Sequence, residues 1–117
     1  MPITEARRSS AVVLRLTGDF SSEAPDLDQT LRRAVEDDAV DVIVDLTDVG
    51  SFRPARALTA AERQRRDLGG RRRFAVVAGP DSDVRVALML SGFTKIAPIF
   101  DTVDDVLQAW ETDGMPI

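Results

Sequence analysis

A chain of 117 residues with 44% hydrophobic and 30% charged residues has the make-up of one globular domain, too short to be divided between two cores. It contains neither cysteine nor histidine, which excludes disulfides, thiolate nucleophiles, zinc–thiolate sites and imidazole acid–base chemistry. The net charge is -5, yet the stretch from Arg53 to Arg73 carries eight arginines against Glu62 and Asp67.

The N-terminal segment, residues 1–10, offers an edge strand around Pro2 to Arg7. Ala11 to Thr17 reads AVVLRLT, β-branched and aliphatic, and predicts a strand closed by a turn at Gly18-Asp19. Ser21 or Ser22 can cap a helix that tolerates Pro25 in its first turn and runs to about Asp37. Leu27, Leu31, Ala34 and Val35 form its apolar stripe. Residues 40–46, VDVIVDL, have a continuous apolar centre and predict a strand covered on both faces. Thr47 to Arg53 is expected to be a loop, and Pro54 to open a helix whose stripe is Ala57, Leu58, Ala61 and Leu68, stopped by Gly69-Gly70. Phe74 to Ala78 predicts another buried strand. Ser82 or Asp83 then caps a helix burying Val84, Ala87, Leu88 and Ser91, with Gly92 as its left-handed stop. A short strand over Ile96 to Ile99 follows. Thr102 to Asp105 resembles a capping box opening a last helix that buries Val103, Val106, Leu107 and Trp110, and residues 112–117 are expected to be a loose tail.

Strands and helices alternate, and connections of this length cross over between parallel strands. The expected fold is therefore α/β, a single domain over residues 1–117 with a central, mostly parallel sheet of four to five strands and about four helices.

No apolar run approaches the ~20 residues of a membrane span, and Met1 to Ala11 lacks the apolar core of a secretory leader, so a cytoplasmic location is expected. The arginine-rich stretch reads as the solvated face of a helix and its loop; only Phe52 and Phe74 flank it, too few aromatics for a nucleic-acid stacking surface. Asp45 ends a strand where a receiver domain carries its phosphoacceptor. The acidic pair that would hold magnesium is missing after the first strand, and Gly79 stands where a hydroxyl is required. Gly69-Gly70 and Gly79 make no phosphate-binding loop. Asp37-Asp38 and Asp104-Asp105 flank helix ends, where capping explains them without a metal, and Lys95, the only lysine, reads as a turn residue. No catalytic constellation, metal site or cofactor is signalled.

The order of elements resembles that of the STAS domain family, the fold of bacterial anti-sigma factor antagonists, over nearly the whole chain, and three phrases carry the resemblance. VVLRLTGDF, 12–20, is similar to the family's first long strand and its turn; VDVIVDLTDV, 40–49, is similar to its central strand entering the phosphorylation loop; LMLSGFTKIAPIFDTVDDVLQAW, 88–110, is similar to its closing helix, turn, short strand and last helix. The resemblance implies a non-enzymatic switch protein that binds an anti-sigma factor, often also a kinase, and is released when one serine at the start of the second helix is phosphorylated. A helix amino terminus stabilises a phosphate, and the added charge disrupts a packed interface.

The loop departs from the family's Asp-Ser-Ser/Thr-Gly-Leu-Gly. Here it reads Gly50-Ser51-Phe52-Arg53-Pro54-Ala55-Arg56, about two residues shorter, and Ser21 stands where the family carries Asp. Phe52 falls near the phosphoserine position and Ser51 is the nearest hydroxyl, a weak phosphoacceptor candidate that reads first as a cap or turn residue. The expected function is binding of an anti-sigma factor or related signalling protein through residues 51–66, with Ser51, Phe52, Arg53 and Arg56 in contact and without the usual phosphorylation. Phe52 is either the apolar anchor of that contact or a residue tucked under the loop. The alternative is a sensor of a small anionic or lipid-like ligand held by Arg53, Arg56 and backbone amides at the same helix terminus.

Overall fold

The computed structural model describes residues 3–8, 11–20, 29–33, 41–52, 58–59, 62–63, 66 and 73–114. Five strands, β1 (Ile3–Arg8), β2 (Ala11–Phe20), β3 (Asp41–Phe52), β4 (Phe74–Val77) and β5 (Ile99–Phe100), lie side by side in chain order. The sheet is mixed: β1 runs antiparallel to β2, and β2 to β5 are mutually parallel. Residues 29–33 are helical, as are 58–59, 62–63 and 66, inside the two stretches where the apolar spacing predicts helices. Two further helices, α1 (Asp83–Leu90) and α2 (Val103–Gly114), complete the described elements together with a 3-10 turn at Phe93–Lys95.

The two-residue period of the strands divides the core into two layers. Val12, Leu14 and Leu16 of β2, Val42, Val44 and Leu46 of β3, and Phe74 and Val76 of β4 point to one face, where Leu31, Leu58, Val84, Leu88 and Phe93 cover them. Ala11 and Val13, Ile43, and Ala75 and Val77 point to the other, where Val106 and Trp110 of α2 close the smaller core. The continuous apolar runs of β3 and β4 follow from this: both strands are covered on both sides.

Capping follows the sequence. The Ser82 Oγ accepts from the Arg85 amide at 3.1 Å, and the Thr102 Oγ1 from the Asp105 amide at 3.1 Å. Gly92, at φ +83°, leaves α1 through the left-handed region.

The structure departs from expectation in five places. β2 does not end at Gly18 but runs to Phe20, with Gly18 at φ +96° inside it. The expected loop after residue 46 is instead the second half of β3. The short strand is only Ile99–Phe100, because the amides of Ile96 and Ala97 turn back to the Phe93 carbonyl at 2.8 and 3.0 Å and Pro98 has none to give. The last helix continues to Gly114, beyond the expected start of the tail. On α1 only Val84 and Leu88 are buried; Ala87 and Ser91 face outward.

Candidate functional site

The candidate site lies at the carboxyl ends of the parallel strands, and two irregularities in β3 shape it. Between Arg15↔Asp45 and Thr17↔Asp48 the register slips by one, so Leu46 and Thr47 together oppose Leu16. The extra residue lets Leu46 and Val49 both enter the larger core while Thr47 and Asp48 face outward. Asp45, which is buried, fixes the bulge: its Oδ1 accepts from the Thr47 amide at 3.0 Å and from the Thr47 hydroxyl at 2.6 Å. Asp45, which the sequence sets near a strand end, therefore lies inside β3 and holds its bulge. Across the outer face of the bulge Arg15 pairs with Asp48. The hydrogen bond that Arg15 donates to Asp48 first, and the charge of that carboxylate second, raise the guanidinium above its ordinary value.

The second slip falls between Gly18↔Val49 and Asp19↔Ser51, leaving Gly50 as the extra residue where Gly18 takes its positive φ. Ser51 and Phe52 are consequently the last two residues of β3, in register with Asp19 and Phe20 at the end of β2. The turn or cap position expected for Ser51 is corrected: its backbone belongs to a paired strand. Arg53 and Arg56 lie outside the described residues. Beyond them Leu58 is fully buried in the larger core, while Arg63 and Arg66 are exposed. The structure therefore joins Ser51 and Phe52 to the end of β2 and anchors the following helical residues to the core through Leu58.

Beside this edge β4 ends in a turn built from its own polar groups. The Ser82 hydroxyl donates to the Gly79 carbonyl at 2.9 Å, and Arg85 bonds the Ala78 carbonyl at 3.1 Å and pairs with Asp101. These bonds tie the start of α1 to the residue after β5.

Sequence reasoning missed four participants. Asp19 falls in the expected turn and Phe20 just beyond it, although the valine and phenylalanine at 49 and 52 continue the strand-forming composition of β3. Glu62 is buried and pairs with Arg66 at 3.7 Å, a position its arginine-rich surroundings concealed. Arg73 is not a solvated member of the basic stretch. It holds the Asp41 carboxylate at 3.2 and 3.3 Å, donates to the Trp110 carbonyl at 3.1 Å and stacks over the Trp110 ring, 4.8 Å from its centroid. Among the described residues no three acidic side chains converge as a metal site, and no helix is long and apolar enough to cross a membrane.

A family model described as the STAS domain matches residues 3–106. No curated protein matches the chain. Among solved structures, an anti-sigma factor antagonist from Mycobacterium paratuberculosis is similar at 26% identity and TM-score 0.76, over 92% of this chain and 91% of its own. The anti-sigma factor antagonist SpoIIAA, in its unphosphorylated form, shares the fold at 16% identity and TM-score 0.71, over 98% of this chain and 99% of its own. TM1081 from Thermotoga maritima does so at 17% identity and TM-score 0.72, over 92% of each chain.

Proposed function

Since the chain belongs to the STAS domain family, we infer that it is a cytoplasmic, non-enzymatic regulatory module that binds an anti-sigma factor or related signalling protein through residues 51–66. Ser51, Phe52, Arg53 and Arg56 make the contact, and serine phosphorylation does not control it. The observation that carries this reading is the continuity of β3 into residues 51 and 52: an inner strand, buried over residues 41–46, runs on to bring these two residues to the carboxyl edge of the sheet, beside the end of β2. A rigid approach of this kind lowers the entropy lost on association. The description of the Mycobacterium paratuberculosis protein as an anti-sigma factor antagonist gives the class of partner.

The absence of Asp-Ser-Ser/Thr-Gly, and the strand pairing of Ser51, support constitutive rather than phosphate-gated binding. A serine within a paired strand lacks the cluster of free amides that makes a helix start a favourable seat for phosphate.

The test is co-purification from the native host followed by calorimetry with the anti-sigma factor recovered. Phe52→Asp is expected to weaken binding by at least about tenfold, roughly 1.4 kcal/mol, as loss of a central apolar anchor does. Incubation with anti-sigma kinases and ATP is expected to leave the intact mass unchanged. Unaltered affinity in both Phe52→Asp and the Arg53→Ala/Arg56→Ala double variant, or stoichiometric phosphate on Ser51, would overturn the reading.

A further inference from the structure

Helix α1 is apolar on both sides. Val84 and Leu88, four apart, enter the larger core, while Val86, Met89 and Leu90, at spacings of three and four, form a stripe on the opposite face and remain 50%, 54% and 83% exposed. They are the exposed large hydrophobic residues among those described. A contiguous apolar stripe on a helix is a recognised mark of an interaction surface.

The charges around the stripe indicate what covers it. Asp83 lies three residues before Val86, on the same side of the helix, and Asp81 precedes it in the turn; Lys95 stands in the 3-10 turn just past the other end. All three are exposed, and among the described residues none has an oppositely charged partner. The stripe is thus acidic at one end, basic at the other and apolar between. A two-fold axis sets a surface against its own copy, and antiparallel helices bring the start of each against the end of the other. With the stripe centred near position 88, the helical rise places residues 81 and 83 opposite residues 93 to 95 of the copy.

We propose that this face of α1 is the contact surface of a homodimer, in which Val86, Met89 and Leu90 pack against their symmetry mates and Lys95 of each chain pairs with Asp81 and Asp83 of the other. The proposal uses none of residues 51–66 and does not rest on the binding reading given for them. A stripe of three side chains is smaller than the roughly 800 Å² per partner of a standard interface, so the dimer forms weakly and with concentration.

Sedimentation equilibrium from about 10 μM to about 1 mM reads it directly, a range suited to a weak contact. The weight-average mass is expected to rise toward that of two chains. Leu90→Glu, at a site too exposed to affect folding, is expected to hold the mass at one chain. Lys95→Glu raises the dissociation constant by about tenfold or more through like-charge contact, and adding Asp81→Lys and Asp83→Lys to it restores the dimer. A single-chain mass across the range, a dimer that Leu90→Glu leaves intact, or one that Lys95→Glu does not weaken would overturn the proposal.

Discussion

Gly92 leaves α1 at φ +83°, a conformation in which any β-carbon is strained. Gly92→Ala is therefore expected to lower stability by about 1–2 kcal/mol in urea unfolding, although nothing lies within 4 Å of the added methyl. The cost is conformational rather than steric, and an asparagine there should recover part of it. Arg73 gives a second test. Its guanidinium is shared among the Asp41 carboxylate, the Trp110 carbonyl and the Trp110 ring, and Asp41 is mostly buried at the start of β3. Arg73→Ala is expected to cost about 1–3 kcal/mol, since a buried carboxylate loses its charge partner, whereas the exposed Arg63→Ala should change stability by no more than about 0.5 kcal/mol. The sequence showed Arg73 only as one of a run, because its partners are 32 and 37 residues away.

The two faces of the sheet are covered unequally. The larger core has several helical segments above it, but among the described elements the smaller one is closed by α2 alone, with Val106 and Trp110 buried and Val103 and Leu107 packed at the margin. Trp110→Ala is expected to cost about 3–5 kcal/mol. In native-state hydrogen exchange the amides of α2 should then lose protection ahead of those of α1. The buried strands β3 and β4, the Ser82 and Thr102 caps and the α2 stripe were legible in the sequence because each is written in neighbouring residues. The far half of β3 was not, because Thr47-Asp48 and Gly50-Ser51 have the composition of a turn and become strand only through pairing with β2, a decision made more than thirty residues away. The outward face of α1 was obscured for another reason: the spacing that picks out Val84 and Leu88 carries Ala87 and Ser91 with them, and says nothing of Val86, Met89 and Leu90, which are apolar on the other side. The resemblance over residues 40–49 directs attention to the loop that follows, but the junction of Ser51 and Phe52 with Asp19 and Phe20 was not legible in it.

At the scale of the molecule, β2, β3 and β4 each contribute to both cores, so neither layer has a sheet of its own to retain if the other is lost. Unfolding is expected to be a single transition. Trp110, the only tryptophan, reports the smaller core by fluorescence, and far-ultraviolet circular dichroism reports the whole; the two denaturation curves should coincide within error. The edges follow the same economy. β5 is only two residues long, and β1 presents Glu5, Arg7 and Arg8 to solvent, features that discourage further strands from joining. The bulge pinned by Asp45 has an evolutionary consequence. Along β3 the alternation of inward and outward positions works as a reading frame, and the spare residue at 46–47 is a frameshift already built in. Loss of one codon there would cancel it: Leu46 and Val49 would stand two residues apart, both still inward, and the strand would return to plain alternation. Descendants of this gene can therefore lose a residue at the bulge without inverting the strand, whereas a single deletion among the regularly paired residues 42–45 would turn one side of the strand inside out.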